Sequence, residues 1–152
     1  MTTPSILVID VGTTGLRAAL VNGAGQITDV QYCKNPPSTP FSGLVEFDAM
    51  HMFAAAREAA LTVLQRNPKS AIGIGITNQR ASTVVWNRIT GEPLGPALGW
   101  QDLRTVMECI TARSEHGLMF APNQTATKAA WMLKNYGAQL EEEIQRGDIC
   151  IG

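Results

Sequence analysis

The residues most able to do chemistry stand near the start of the chain, directly after an apolar segment. Residues 6–9 predict a buried strand, and Asp10 follows at its end. The run Gly-Thr-Thr-Gly at 12–15 predicts a tight turn whose N–H groups and hydroxyls suit phosphate oxygens, because glycine permits a close approach. Asp10 is a candidate Mg²⁺ ligand, and Arg17 offers a guanidinium to oxyanions. These residues predict nucleotide handling; on spacing alone, the alternative is a plain β-hairpin turn.

Composition and charge limit the classes of protein to consider. The chain has 152 residues, of which 45% are hydrophobic and 16% charged, as expected for one globular domain with a core. A net charge of −1 argues against nucleic acid or an acidic membrane surface as a partner. Because the sequence has neither a bilayer-length apolar run nor a signal-peptide layout, we expect a cytoplasmic protein. The widely spaced Cys33, Cys109 and Cys150 predict reduced thiols.

The first 32 residues predict three antiparallel strands in a meander. The second strand covers residues 16–21 and ends at Asn22-Gly23, a strong hairpin signal. The third strand covers residues 27–32. The candidate phosphate turn therefore joins the first two strands.

A helix is predicted after a proline-rich loop at residues 35–43. Asp48 is its expected N-cap, and Asn67-Pro68 is its expected end. Helical spacing predicts one buried face, formed by Met52, Phe53, Ala56, Ala59, Ala60, Val63 and Leu64.

The remaining sequence predicts a mixture of strands and helices. Residues 71–77 alternate isoleucine with glycine, which predicts a central strand closely approached by another backbone. Further strands are expected at 83–86 and 148–151, and helices at 105–113, 125–136 and 139–145.

The ordered motifs along these elements resemble the FGGY carbohydrate kinases, and most closely the glycerol kinases among them. The opening Asp10-x-Gly-Thr-Thr-x-x-Arg17 is similar to the first motif of that family. Similar blocks follow at 73–80, 83–86, 90–94, 100–105, 127–128, 131–133 and 147–152. The resemblance covers essentially the whole chain. It implies an α/β fold of the actin-like ATPase (ribonuclease H-like) type, with a mixed sheet that opens on the three-strand meander and helices packed on it.

The resemblance also implies the activity and its cofactors. Residues 1–152 would form an incomplete N-terminal domain of a kinase that phosphorylates a hydroxyl of a small sugar or polyol, with ATP and Mg²⁺. The C-terminal domain and the general-base aspartate would lie beyond Gly152, so the chain alone is expected to be inactive. An assembly of identical subunits is left open.

Roles for individual residues on the nucleotide side follow from the same resemblance. Asp10 would orient Mg²⁺ or water near the γ-phosphate. Gly12, Thr13 and Thr14 would cradle the ATP phosphates, and Arg17 would neutralise charge on the transferred group. These residue types suit phosphoryl transfer, which depends mostly on positioning and electrostatic stabilisation.

The walls of the substrate pocket would come from Gln79, Arg80, Trp100 and Asp102. An arginine beside an aromatic face suits polyols, whose hydroxyls need donors and whose C–H faces need apolar cover. Core packing is the alternative for Trp100, and capping of the next helix is the alternative for Asp102. Lys128 is expected to be a solvated or helix-face residue rather than a ligand group.

Two positions depart from the glycerol kinase pattern. Ala81 stands where those enzymes carry glutamate, and Asn123 stands where they carry tyrosine. Loss of a carboxylate and a phenol removes two polyol contacts, and such changes alter substrate choice strongly. A small residue at 81 is also similar to the xylulose kinases. We therefore expect the acceptor to be a polyol other than glycerol, or a ketopentose.

Two further functional classes stay open besides a kinase. One is an actin-like nucleotide-binding module without sugar chemistry. The blocks Gln79-Arg80 and 100–102 argue against it, because phosphate binding alone does not require them. The other is a truncated, non-catalytic paralogue of a kinase.

Overall fold

The computed structural model describes residues 3–137 and 140–152, and these form two compact units. Unit 1 contains the described residues up to 36 together with residues 51–79, and unit 2 contains residues 37–50 and the described residues from 80 to 152. In chain order the elements are β1 (Ser5–Val11), β2 (Gly15–Asn22), β3 (Ile27–Lys34), β4 (Glu46–Phe47), α1 (Ala49–Arg66), β5 (Ala71–Thr77), β6 (Val85–Asn87), β7 (Ala97–Leu98), α2 (Val106–His116), α3 (Thr125–Tyr136), α4 (Glu141–Arg146) and β8 (Ile149–Ile151).

Unit 1 is a four-stranded mixed sheet with the order β3-β2-β1-β5. β1 pairs antiparallel with β2, and β2 pairs antiparallel with β3, so the predicted meander is confirmed. β5 runs parallel to β1. The sheet therefore places the turn at residues 12–14 at one end of β1, next to the end of β5.

Helix α1 packs on one face of this sheet. Ala55, Ala59 and Val63 follow one another at spacings of four and pack against buried residues of β1 and β2. The helix begins directly after Asp48 and ends directly before Asn67-Pro68, as predicted. Phe53 was expected to be buried, but it is 65% exposed because it lies at the edge of this stripe, near the start of the helix.

Strand β5 is not the central strand that its sequence predicts. It lies at the end of the described sheet and pairs with β1. Its side chains Ile72, Ile74 and Ile76 are 71%, 65% and 72% exposed. The expected close approach at Gly73 comes from a side chain rather than a backbone, because a Cβ there would lie 3.2 Å from Cδ1 of Ile6.

Unit 2 contains two short antiparallel ladders, β4–β7 and β6–β8, and three helices. Its core consists of Val85, Leu98 and Met132, and Trp131 packs against them. The predicted last strand finds its partner in β6. The predicted strand over 83–86 begins later, at Val85, while Thr83 forms an isolated bridge with Leu98.

Helices α2 and α3 form near their expected bounds, and the predicted helix over 139–145 is observed from Glu141, whereas residue 139 lies outside the described part of the chain. The three cysteines are free. Within residues 3–137 and 140–152, no helix combines the length and the apolar character that crossing a bilayer requires.

Candidate functional site

The turn between β1 and β2 carries the residues predicted to hold phosphate. The Gly12 N–H donates to the Gly15 carbonyl at 3.0 Å, and the Thr14 carbonyl accepts from the Asn35 N–H at 3.1 Å. The Gly12 N–H, expected to face a phosphate, therefore closes the turn itself. What Gly12 offers is space, because a Cβ there would lie only 2.9 Å from the Gly15 carbonyl oxygen.

Asp10 and Arg17 stand opposite each other on β1 and β2. Nη1 of Arg17 donates to Oδ2 of Asp10 at 2.7 Å, and the side chains are 56% (Arg17) and 38% (Asp10) exposed. The Arg17 guanidinium carbon also lies 5.9 Å from the centre of the Tyr32 ring. The candidate metal ligand and the candidate oxyanion donor thus neutralise each other. An exposed ion pair contributes little stability, so either group can exchange its partner for a ligand at small cost.

The side chain of Gln79, which was predicted to line the acceptor wall, bonds to this turn. Its Nε2 donates to the Gly12 carbonyl at 3.0 Å, and the residue is half-buried. Gln79 follows β5 by two residues, so the parallel pairing of β5 with β1 brings it to the turn. The structure therefore gathers six of the predicted site residues in unit 1: Asp10, Gly12, Thr13, Thr14, Arg17 and Gln79.

Gly15 makes the turn sensitive to substitution. A Cβ there would collide with the Tyr32 hydroxyl and would lie 2.8 Å from the backbone oxygen of Cys33. Because the backbone cannot swing aside, we expect Gly15→Ala to lower the free energy of unfolding by about 1–3 kcal/mol. Urea denaturation measures this. Gly23→Ala, in a hairpin turn with open space around the glycine, is the matched control and should change stability little; equal effects would contradict the account.

Asp102 lies in a buried ion-pair cluster of unit 2. Its side chain is fully buried, and both carboxylate oxygens accept hydrogen bonds. Nε and Nη2 of Arg104 donate to Oδ1 at 2.8 Å and Oδ2 at 2.9 Å, and the Val45 N–H donates to Oδ2 at 2.7 Å. Nη2 of Arg104 also bonds Oε1 of Glu46 at 2.7 Å. Asp102 therefore holds its own loop to the segment that precedes β4.

The alternative role of Asp102 as a helix cap is wrong. Helix α2 begins at Val106, and its N-cap is Thr105. Sequence reasoning also missed Arg104, which is 8% exposed and stacks over the Trp131 ring at 4.7 Å. The signal for it was the arginine two positions after the aspartate, a spacing that allows a two-point ion pair within one loop.

The Asp102 cluster makes the stability of the protein depend on pH. Burial raises the pKa of Asp102, but hydrogen bonds from Arg104 and from the Val45 and Arg104 N–H groups outweigh it and hold the pKa below its ordinary 3.8. A carboxyl whose folded pKa is depressed adds stability above its unfolded pKa and loses it as pH falls through the folded value. We expect the free energy of unfolding to fall as pH drops below 3.8, with a smaller slope in Asp102→Asn. Urea denaturation at pH values from about 6 down to about 2 tests this. Identical slopes of unfolding free energy against pH in the wild type and in Asp102→Asn would refute it.

The other predicted acceptor residues also lie in unit 2. Arg80 is exposed, and Ala81 is half-buried with a left-handed φ of 60°. The Trp100 N–H donates to Oγ of Ser82 at 3.0 Å, which joins the segment after Arg80 to the Trp100 backbone. Trp100 is 41% exposed, so part of its ring is not packed against other residues of the chain. Asn123 is exposed in the turn before α3.

Lys128 lies on helix α3, but it is not solvated as the sequence had also allowed. It is fully buried, and its Nζ donates to the Ala81 carbonyl at 2.9 Å. Burial lowers the pKa of Lys128 below its usual 10.5, against the opposing effect of the Asp102 charge. The signal in the sequence was its place on α3, four residues before the buried Met132 and so on the apolar stripe.

Comparison with known proteins finds matches among carbohydrate kinases. Residues 5–146 match the model of the FGGY family of carbohydrate kinases, N-terminal domain. The chain is similar to the glycerol kinase of Nitrosomonas eutropha, with 37% identity over 163 aligned positions that cover 98% of this chain and 32% of that protein. It therefore spans about a third of the length of the curated relatives it matches.

Solved structures agree with this similarity. The crystal structure of Plasmodium falciparum glycerol kinase with ADP matches 99% of this chain and 32% of its own, with a TM-score of 0.87 and 25% identity. The xylulose kinase of Rhodospirillum rubrum matches 88% of this chain and 30% of its own, with a TM-score of 0.78 and 22% identity, which supports the fold alone. The expected actin-like α/β fold is thereby confirmed.

Proposed function

Because the chain belongs to the FGGY family of carbohydrate kinases, we propose that it is the N-terminal part of a longer enzyme that transfers the γ-phosphoryl group of ATP to a hydroxyl of a small sugar or polyol. The observation that carries this proposal is the β1–β2 turn. There Asp10 and Arg17 flank a bend of small residues in a chain that matches the family over residues 5–146. A cytoplasmic location stays a prediction.

Unit 1 acts on the nucleotide side. Thr13 and Thr14 hold phosphate oxygens at the turn, where a glycine leaves room for their approach. The Asp10 carboxylate fits Mg²⁺, a hard cation that binds one or two carboxylates together with phosphate oxygens and water. When bound, the ion neutralises phosphate charge. Arg17 leaves Asp10 and stabilises charge on the transferred group, an exchange made cheap by the exposure of the pair.

Unit 2 supplies residues on the acceptor side. The exposed Arg80 donates to acceptor hydroxyls, and the partly exposed Trp100 covers a C–H face. Asp102 acts through position, because its carboxylate is buried and fully bonded to Arg104 and Val45. It keeps the loop that follows Trp100 in place.

The acceptor is either a ketopentose or a polyol other than glycerol. Ala81 provides no carboxylate and Asn123 provides no phenol, the two groups whose loss was noted in the sequence. Alanine at 81 is smaller than glutamate, so it leaves space for an acceptor bulkier than glycerol. Selectivity for a substrate hydroxyl comes from a side chain that bonds it. Without the carboxylate and the phenol, the site therefore has little selectivity for the glycerol hydroxyls that those groups would bind.

The test is a phosphoryl-transfer assay on the complete enzyme that carries this N-terminal sequence. We expect ADP to form only when a polyol or ketose from a panel is present, together with a sugar phosphate seen by ³¹P NMR. ATP hydrolysis that ignores every acceptor would instead support a nucleotide-binding module, and no use of ATP would support a non-catalytic paralogue. The 152-residue chain alone should show no turnover; rates of about 1–100 s⁻¹ from it would contradict the proposal.

A further inference from the structure

The segment after Arg80 contains an unusual backbone conformation. Ala81 has a φ of 60°, in the left-handed region that L side chains other than Asn and Asp rarely adopt. Among the residues described, only Lys69 shares this feature outside glycine. Such a conformation persists only where surrounding structure holds it, and it is frequent at ligand-binding sites. The question is therefore what holds residue 81.

The contacts of the segment give the answer. The Ala81 carbonyl accepts a hydrogen bond at 2.9 Å from Nζ of Lys128, which is fully buried in α3. On the other side, the Thr83 N–H and carbonyl both pair with Leu98 at 2.8 Å. The bend is thus fixed at its centre mainly by Lys128, with a longer bond of 3.5 Å from the Thr83 hydroxyl to the same carbonyl. The bridge of Thr83 fixes its end, and Arg80 directly precedes it.

Burial of an ammonium at this place needs a reason. Moving a charge out of water is unfavourable, and a methionine would fill the same space without that cost. The depressed pKa of Lys128, caused first by burial, agrees with this cost. A charged donor forms a stronger hydrogen bond to a carbonyl than a neutral one does. The buried ammonium therefore serves to fix the Ala81 carbonyl rather than to fill space in the core.

We propose that Lys128 is a positioning residue for the acceptor: its ammonium holds the Ala81 carbonyl, and the bend so fixed presents Arg80. This inference rests on the proposed function, in which Arg80 contacts the acceptor. It assigns to Lys128 an effect on acceptor use without contact to acceptor or nucleotide.

The first test measures the backbone conformation at residue 81 and does not depend on enzymatic activity. In the 152-residue chain, Lys128→Met should move residue 81 out of the positive-φ region, as seen by crystallography or NMR couplings. Lys134→Met, which alters an exposed lysine on the same helix, should leave it there. Ala81→Gly in the otherwise unchanged chain should raise Tm by about 2–4 °C, because glycine accepts this φ without strain. Ala81→Gly keeps the inference testable should Lys128→Met fail to fold.

The second test reads catalysis in the complete enzyme. Lys128→Met should lower kcat/KM for the acceptor by about 10- to 100-fold, mainly through KM, since a small misplacement of a substrate-positioning group has effects of that size. KM for ATP should stay within about twofold, as a loss confined to acceptor binding requires. Adding Ala81→Gly to Lys128→Met should recover part of the acceptor KM, because glycine adopts the positive φ without strain although it does not fix the bend.

Three results would overturn the inference. These are a positive φ at residue 81 in Lys128→Met, a lower Tm in Ala81→Gly, and equal losses for acceptor and ATP. If the wild-type enzyme phosphorylates no acceptor while the backbone result is as expected, the proposed function fails and the Lys128–Ala81 coupling stands.

Discussion

Arg80→Ala in the complete enzyme should lower kcat/KM for the acceptor by about 10²- to 10³-fold, because a charged donor to acceptor hydroxyls is lost. The affinity for ATP should change by less than about threefold, since the proposal gives Arg80 a contact with the acceptor and not with the nucleotide. Steady-state kinetics with each substrate varied in turn, and titration of ATP binding, measure the two quantities. The same loss for both substrates would remove Arg80 from the acceptor wall.

Two variants sharpen this test. Arg88→Ala removes an exposed arginine from the same unit, in the turn that follows β6, and should leave both parameters unchanged. Arg80→Lys keeps the charge but loses the planar two-point donor, so it should recover only part of the acceptor use. Full recovery by lysine would show that charge alone is needed at this position.

Asp102→Ala should lower the free energy of unfolding by about 3–5 kcal/mol, because it leaves the buried Arg104 guanidinium with one partner fewer. The variant also leaves the Val45 N–H without its acceptor in this cluster. A domain of this size has a total stability of about 5–15 kcal/mol, so this loss is a large fraction of the whole. Urea denaturation followed by circular dichroism measures the loss.

The chain offers a matched control for this variant. Asp148 accepts from Nε of Arg146 at 2.9 Å, also two positions away, but that arginine side chain is 55% exposed. An exposed pair contributes about 0–1 kcal/mol, so Asp148→Ala should have a small effect. The comparison separates burial from pairing, and similar losses in the two variants would show that burial of the Asp102 pair does not matter.

The parts of the fold that the sequence predicted are those governed by local signals. The strands of the meander follow from alternating side chains and from the Asn22-Gly23 turn. The bounds of α1 follow from Asp48 before it and Pro68 after it, which act within one helical turn. Such features need no information about distant residues.

The parts that were missed depend on contacts between distant residues. The burial of Lys128 depends on a carbonyl 47 positions away, at Ala81, and the role of Asp102 depends on Val45, 57 positions away. The sequence does not show which distant residue either side chain contacts, although the place of Lys128 four residues before Met132 was a local signal of its burial. The apolar pattern of β5 was also ambiguous, because alternation predicts a strand but not its neighbours in the sheet.

The residues of the candidate site were found from motifs, while their arrangement came from the fold. Asp10 was predicted to bind Mg²⁺ and Arg17 to bind phosphate. The strand register places them opposite each other, and they form an ion pair. Gln79, which was expected beside the acceptor, donates to the Gly12 carbonyl. Motifs identify residue types, and pairing between strands decides which of them meet.

A crystal structure of the complete enzyme with Mg²⁺, a non-hydrolysable ATP analogue and the acceptor tests the residue assignments most directly. We predict phosphate oxygens within hydrogen-bond distance of Thr13 or Thr14, and at least one acceptor hydroxyl bonded to the Arg80 guanidinium. Phosphates bound away from residues 10–17, or an acceptor without contact to Arg80, would contradict the account.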